Sequence, residues 1–429
     1  MINITKETPY ENGSRILKFK INKIERESPG YFPLLDRVAD PRNVMDAFML
    51  MEKESKDKEN FEHVPGFVME SDSVLSMLNL DLTLSRQSRL SQRNEGGTFN
   101  GFFDFIKEYG MAFLIDPNLD RINNGAYRNG FLKTGENLLT KEIKDLLNKK
   151  EKISVSLLKE PEMMRKSLFF QINFKATDLV APYTQIELKD VEGTLKNSIE
   201  MYNSSNELIR KFWKNYFPAI PVMCIRKNIL DARPEKDGKR KAWESIIEEF
   251  SKIESPLLIL KITDFSTKSK DEKYDNLKSF FQEVKKKIKK PILFLNMNEF
   301  SYILFRDGLD FYSSAMGKGS LKSMAGANLS EDQRDSDGLY YVLREMRNVK
   351  KRDLKKLPCH CPYCTPFSKI PVDEIETLDW RALRIKHYVW CKNVEIEHLQ
   401  KELKGNSLRA ALWSMFADSK EWKNFTNFI

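Results

Sequence analysis

An α/β fold built on a parallel sheet is predicted by the alternation of strand-like and helix-like segments along the sequence. Short apolar runs alternate with longer amphipathic segments along most of the 429 residues, and several of these runs end in an aspartate. Strands and helices that alternate over this length favour a TIM (β/α)8 barrel, with a doubly wound open sheet as the alternative. The predicted strands are "RILKFKI" (15–21), "MAFLID" (111–116), "LFFQINF" (168–174), "IPVMCI" (220–225), "PLLILKI" (256–262) and "PILFLNM" (291–297).

A cluster of cysteines near the C-terminal end predicts a zinc-binding subdomain. Cys359, Cys361 and Cys364 form a C-x-C-x2-C pattern, and they are three of the chain's five cysteines. A tight turn can direct three thiolates to one tetrahedral ion, and a structural zinc site needs a fourth ligand. Such a site is structural because four protein ligands leave no open position for a substrate.

The fourth ligand is expected on the helix predicted by "LRIKHYVWCKNVEIEHLQKEL" (383–403), where apolar residues recur every three or four positions. His387 is the preferred candidate, which makes a Cys3His site, and Cys391 is the alternative. His360 lies between two of the cysteines and is expected to point away from the ion. His63 is distant in sequence, and His398 lies further along the helix.

Two domains are predicted, with exposed loops at 50–62 and 317–338. Residues 1–345 form the barrel, whose last strand is "LDFYSSA", at about 308–315. Residues 346–429 form the zinc-binding subdomain and the C-terminal helices that pack on the barrel.

Charge predicts a polyanionic partner, most simply a nucleic acid, because the formal net charge is +9.

No apolar run reaches the roughly 20 residues of a membrane span. The N-terminus lacks the pattern of a signal peptide. Five cysteines in a chain of this length do not make a disulfide framework, so a cytoplasmic protein without a membrane partner is expected.

Acidic residues at strand ends predict a site at the carboxyl edge of the sheet, where barrel enzymes carry their chemistry. Asp116, Asp178 and Asp264 follow predicted strands, and Asp310 lies in the last one. A single strand-end aspartate often caps the next helix, but several at one edge indicate a site. Arg226, after "IPVMCI", is expected to contact a phosphate or a base there.

The sequence resembles the tRNA-guanine transglycosylases over most of residues 95 to 400. The C-x-C-x2-C followed by a helical histidine is similar to that family's zinc site. "KPILFLNMNEFSYILFRDGLDFYSSA" resembles its penultimate strand, helix and last strand, "GFFDFIKEYGMAFLIDPN" the segment before its first active-site aspartate, and "DLVAPY" its Asp-Glu-x-x-Pro-Tyr region. The resemblance implies a TIM barrel, a structural zinc ion and exchange of guanine for a 7-deazaguanine base.

Roles for individual residues follow from the resemblance. Asp116 is expected to act as acid/base and substrate contact, and Asp178 to contact the purine edge. Asp264 and Arg226 are expected as further substrate contacts because of their places at strand ends, not because of the resemblance. The family's nucleophile is the last Asp of Gly-x-Asp-x-Phe-Asp, a position that Ser313 occupies here. Asp310 is the expected replacement, followed by Asp307. The family's Ser-Gly-Gly-Phe after the first aspartate is also replaced, by Pro-Asn-Leu-Asp at 117–120.

The divergent motifs and the short C-terminal segment are most similar to the DNA-modifying branch, the DpdA-type 7-deazaguanine transglycosylases. This branch implies DNA as the polymer, a preQ0-like base as the small-molecule substrate, and partner proteins of a DNA-modification or restriction system. Family members often dimerise near the zinc subdomain, so a homodimer is one expected arrangement. The alternatives are a tRNA-guanine transglycosylase and a non-catalytic, zinc-stabilised nucleic-acid-binding relative.

Overall fold

The computed structural model of the chain describes most of the predicted elements. The described residues are 2–9, 15–21, 24–35, 64–71, 74, 106, 110–119, 122, 138–149, 151, 153–232, 242–265, 274–295, 297, 299–315, 339–405, 407–420 and 422–429. The predicted loops at 50–62 and 317–338, and His63, lie outside them.

The chain begins with a three-stranded antiparallel sheet, β1-β2-β3, made of β1 (Ile2–Pro9), β2 (Arg15–Ile21) and β3 (Ile24–Glu27). The run at 15–21 is therefore a strand, as predicted, but it does not belong to the parallel sheet. Phe19 of β2 packs edge-on against Phe311, with ring centroids 5.0 Å apart. This small sheet thus lies against the interior of the main sheet.

Seven parallel strands form the main sheet, in the order β6-β5-β4-β10-β9-β8-β7. They are β4 (Gly30–Leu35), β5 (Gly66–Glu70), β6 (Ala112–Asp116), β7 (Val222–Arg226), β8 (Leu258–Thr263), β9 (Ile292–Leu295) and β10 (Phe311–Ala315). The first of these strands pairs with the last, so the sheet curls. Among the described residues the strand pairing shows a half-barrel rather than a closed eight-stranded barrel.

Helices alternate with these strands. They are α1 (Lys141–Asn148), α2 (Val155–Leu158), α3 (Pro161–Asn173), α4 (Val191–Phe212), α5 (Lys227–Asp231), α6 (Ala242–Ser251), α7 (Tyr274–Lys287) and α8 (Ser301–Arg306). The strand predicted at 168–174 is wrong, because this run ends α3, which begins with a favourable N-terminal proline. A short apolar run alone cannot distinguish a buried helix from a buried strand.

An irregular segment, 176–186, contacts both edge strands of the half-barrel. The amide of Thr177 donates to the carbonyl of Phe113 in β6 at 2.9 Å. The amide of Ile186 donates to the carbonyl of Cys224 in β7 at 2.8 Å. The segment therefore lies between β6 and β7, where it satisfies backbone groups that the two edges would otherwise expose.

The C-terminal part consists of a hairpin, two helices and the turn that carries the cysteines. The elements are β11 (Leu339–Val342), β12 (Arg347–Lys350), α9 (Thr377–Lys404) and α10 (Leu408–Asp418). The helix predicted at 383–403 is confirmed within α9. The domain boundary predicted after residue 345 falls inside the β11–β12 hairpin. Among the described helices, none is both long and apolar enough to cross a membrane.

A fully buried lysine joins α9 to the main domain. The Lys392 Nζ atom lies 2.8 Å from a carboxylate oxygen of Glu299 and 2.8 Å from one of Glu395, and it donates to the Tyr341 hydroxyl at 2.9 Å. Burial lowers the pKa of Lys392, but the two carboxylates outweigh this effect and raise it. The ammonium group therefore stays charged and balances one of the two buried acids.

We expect Lys392→Met to lower the free energy of unfolding by roughly 3–5 kcal/mol, because it leaves buried carboxylates without their cation. Urea unfolding followed by circular dichroism measures the change. Lys401→Met is the matched control, because Lys401 is exposed on the same helix; it should change stability by less than about 0.5 kcal/mol. Equal effects of the two substitutions would show that the buried network is unimportant.

Candidate functional site

The four predicted metal ligands lie close together in the C-terminal part of the chain. One thiol sulfur from each of Cys359, Cys361 and Cys364 and one ring nitrogen of His387 all lie within 4.8 Å of one another. The turn is closed by amides of Cys364 and Thr365, which both donate to the carbonyl of Cys361 at 3.0 Å. A tetrahedral site with metal–sulfur bonds of about 2.3 Å needs sulfurs about 3.8 Å apart, so this set can hold such an ion with small adjustments.

Neighbouring residues orient His387 toward the thiols. Its Nε2 atom lies 2.6 Å from the carbonyl oxygen of Tyr341, to which it can donate. That bond leaves Nδ1 facing Cys361 Sγ at 3.4 Å and Cys364 Sγ at 3.5 Å. Tyr340 stacks on the imidazole, with ring centroids 4.3 Å apart. A carbonyl that holds one ring nitrogen so that the other faces the metal is typical of zinc-bound histidines.

The electrostatics of the cluster favour a cation at this point. Burial lowers the pKa of His387, but hydrogen bonds to Cys359 and Cys361 raise it, to about 9 overall. The thiol cluster therefore stabilises positive charge on the ring, and a bound metal ion would supply that charge instead.

The other candidate ligands are placed as follows. Cys391, one turn after His387 on α9, lies with its sulfur 3.4 Å from His387 Nε2 and 3.6 Å from Nδ1. It is near the cluster but outside the group of four mutually close ligands. His360 and His398 are exposed, and neither belongs to the group of four ligands.

A second cluster lies at the carboxyl edge of the main sheet, around Asp116, the last residue of β6. Lys261 of β8 donates to Asp116 Oδ2 at 3.1 Å and to the Tyr183 hydroxyl at 2.7 Å, and that hydroxyl donates to Asp116 Oδ1 at 2.7 Å. Lys261 also donates to Asn118 Oδ1 at 2.9 Å. All four side chains are buried, so this polar network lies within the curled sheet.

This cluster can bind a substrate and move protons. Both oxygens of Asp116 already accept hydrogen bonds, and Oδ1 accepts a further one from the Asn118 amide at 2.9 Å. Asn118 has a left-handed φ of 53°, which asparagine tolerates better than most residues. Its side-chain nitrogen has no hydrogen-bond partner among the described residues. A buried, unpaired donor beside a fixed carboxylate is suited to contact a polar ligand.

Asp264 and Arg226 also lie at this edge, as predicted. The Arg226 Nε atom donates to Asp264 Oδ2 at 2.8 Å, and both side chains are partly exposed. Arg226 is the register partner of Thr263, which directly precedes Asp264. Asp178 lies on the irregular segment and accepts from the Thr177 hydroxyl at 3.1 Å, so its carboxylate is buried close to β6.

The structure does not bring Asp310 to Asp116, so its position does not support the catalytic role expected for it. Asp310 comes directly before β10, at the amino end of the strand, whereas Asp116 closes the carboxyl end of β6. Its carboxylate accepts from Arg15 Nε at 2.9 Å and Nη2 at 2.8 Å, and from Lys285 at 3.2 Å. It therefore serves as a buried counterion that joins β2 to the main sheet.

The two other nucleophile candidates, Asp307 and Ser313, are placed as follows. Asp307 follows α8 and accepts from the Gln282 side chain at 2.8 Å, outside the curled sheet. Ser313 alternates with Tyr312 along β10 and therefore faces the interior with Phe311. Its hydroxyl is buried and has no hydrogen-bond partner among the described residues. A lone serine hydroxyl is a poor nucleophile without a neighbouring base.

The sequence carries only a partial signal for the other members of the Asp116 cluster. Asn118 and Tyr183 end the segments "GFFDFIKEYGMAFLIDPN" and "DLVAPY", but no role was expected for either residue. Lys261 lies inside the apolar run "PLLILKI", which is predicted to be buried. A buried lysine is uncommon unless it is paired, so its position marks an acidic partner. Comparison with known proteins gives no match, either to a family model or to a curated protein.

Proposed function

We propose that this chain is a DNA-guanine transglycosylase, which exchanges guanine in DNA for a 7-deazaguanine base such as preQ0. The buried Asp116–Lys261–Tyr183 cluster at the carboxyl edge of the parallel sheet carries the proposal. A Cys3His group after the last strand of the same sheet supports it. The combination matches the arrangement that the resemblance to the transglycosylases implies.

The proposal includes two further assignments: a closed barrel as the fold and zinc as the metal. Because residues 176–186 hydrogen bond to both β6 and β7, we assign them the place of the missing strand in a closed (β/α)8 barrel. Three thiolates and one imidazole in a buried turn are the donor set that zinc prefers, so we assign zinc as the metal. Its role would be to hold the hairpin and α9 in place on the barrel.

Each residue of the Asp116 cluster, and Arg226 beside it, would have a separate role in base exchange. The Asp116 carboxylate would accept hydrogen bonds from the guanine edge, while Lys261 and Tyr183 fix its orientation and exchange protons with it. Arg226, which is partly exposed at the same edge, can contact a phosphate beside the flipped nucleotide. The net charge of +9 supports attraction to a polyanion, which also offsets the few kcal/mol that base flipping costs.

The proposal is tested by incubating the purified protein with double-stranded DNA and preQ0 and analysing the digested nucleosides by mass spectrometry. We expect a deoxy-7-deazaguanosine from the wild-type protein. Asp116→Asn should lower its rate of formation about 100- to 10,000-fold, because acid–base catalysis contributes this much. Asp145→Asn is the matched control, because Asp145 is exposed on α1, and it should leave the rate unchanged.

The same assay with total tRNA separates the alternatives. Modified tRNA with unmodified DNA would assign the chain to the tRNA-guanine transglycosylases. The buried serine in place of the expected nucleophile favours a second candidate, a non-catalytic nucleic-acid-binding relative. That candidate predicts binding to DNA without exchange on either polymer, a result that would overturn the proposed function.

A further inference from the structure

We propose that Glu70, the last residue of β5, is the nucleophile that forms the covalent bond to the sugar; this inference rests on the proposed function. Double displacement needs a carboxylate inside the curled sheet and beside the acid/base. Asp310 lies at the opposite end of the sheet, and Ser313 has no base. Glu70 has no counterpart among the motifs that resemble the transglycosylases.

Strand register places Glu70 directly beside Asp116. The two residues are Cα partners in the parallel β5–β6 ladder, and each closes its strand. Partners in adjacent parallel strands point to the same side of the sheet, so Glu70 faces the interior as Asp116 does. Glu70 is 0% exposed. The next residue, Ser71, donates to the carbonyl of Pro117 at 3.0 Å, which holds the two strand ends together.

The spacing of the two strands is compatible with a covalent mechanism. Adjacent strands lie about 4.8 Å apart, which is therefore the approximate distance between the two backbone positions. Retaining glycosidases, which form a glycosyl–enzyme ester, hold their two carboxyl groups about 5–5.5 Å apart, whereas inverting enzymes need about 6.5–9.5 Å to fit a water. Side chains that start from strand ends this close can reach the same sugar, and the carboxyl separation of the retaining class is attainable from them.

The hydrogen bonds distribute the two roles. Asp116 accepts from Lys261, the Tyr183 hydroxyl and the Asn118 amide, and these contacts suit its carboxylate to hold and move protons. The carboxylate that attacks C1′ must approach the sugar with one oxygen, and we assign this role to Glu70 because its register places it beside Asp116. The ammonium group of Lys261 compensates part of the charge of two adjacent buried acids.

The reaction balances with these groups. A Glu70 oxygen forms a bond to C1′ as the C1′–N9 bond to guanine breaks, and the electron pair leaves with the base. Guanine takes up a proton from the Asp116–Lys261–Tyr183 cluster. The 7-deazaguanine then returns a proton to the cluster through its N9–H, and N9 attacks C1′. The ester bond breaks, and the Glu70 carboxylate is restored.

The test traps the intermediate on the wild-type protein, without relying on a variant that fails to fold. Protein and a guanine-containing oligonucleotide are mixed without an incoming base and denatured in acid, and the cross-linked peptide is sequenced by mass spectrometry. We expect the deoxyribose to map to Glu70. An adduct on any other residue would overturn the inference while leaving the proposed function intact.

Variants supply the second readout. Glu70→Gln should lower exchange about 1,000-fold or more and abolish the adduct, while its melting temperature and DNA affinity stay close to those of the wild type. Glu397→Gln, at an exposed position of α9, is the control. Exchange within tenfold of wild type in folded Glu70→Gln removes Glu70 as the nucleophile. Absence of exchange by the wild-type protein on DNA and tRNA would instead refute the proposed function, and this inference with it.

Discussion

Replacement of Cys361 by serine is expected to release the metal ion and to unfold the C-terminal part of the chain. Cys361 is 2% exposed, and its sulfur belongs to the group of four mutually close ligands. Structural zinc contributes roughly 10–16 kcal/mol in small metal-dependent folds. That contribution is as large as the whole stability of a typical domain, about 5–15 kcal/mol. Metal content and thermal melting, each with and without a chelator, measure the effect.

Two controls separate the ligands from their neighbours. His360→Ala removes an exposed imidazole from between the same cysteines, and it should retain the metal. Cys391→Ser removes a buried thiol next to His387 that is not one of the four, and it should retain the metal as well. A Cys361→Ser protein that is metal-free yet melts like the wild type would contradict a structural role for the ion.

The metal group was predictable because most of it is local in sequence. Three of its ligands lie within six residues, and the helical periodicity around His387 supplies the fourth. The residues of the Asp116 cluster are not close in sequence, because Lys261 is 145 positions from Asp116 and Tyr183 is 67 positions from it. Their proximity depends on which strands are neighbours, and a single sequence carries no local signal for that.

The places where β5 ends and β10 begins explain why the positions of Glu70 and Asp310 were not predicted from the sequence. Glu70 ends a strand that the apolar pattern alone does not identify, although its burial and register place it beside Asp116. Asp310 was expected in the site as the replacement for the family's nucleophile, but β10 begins at Phe311, so Asp310 precedes the strand. At about 3.3 Å per residue, the amino and carboxyl ends of a five-residue strand lie about 16 Å apart. That distance separates a catalytic position from a structural one.

Replacement of Asp310 by alanine is expected to destabilise the fold by roughly 3–5 kcal/mol, because it leaves buried cations without their carboxylate. The side chain of Asp310 is 0% exposed, and those of Arg15 and Lys285 are 9% and 11% exposed. Burial lowers the pKa of Lys285, so this amine can release its proton once the carboxylate is gone. Arginine stays protonated under all ordinary conditions, so most of the cost falls on Arg15.

A double-mutant cycle tests this account and separates stability from catalysis. If the Arg15–Asp310 pair carries the effect, Arg15→Met combined with Asp310→Ala should be less destabilising than the sum of the two, by about 1–3 kcal/mol. Urea unfolding measures all four proteins. The folded fraction of Asp310→Ala should also retain base exchange, because its carboxylate lies at the amino end of β10. Unchanged stability with exchange abolished would return Asp310 to the catalytic site, and Glu70 would then lose the role that register and burial give it.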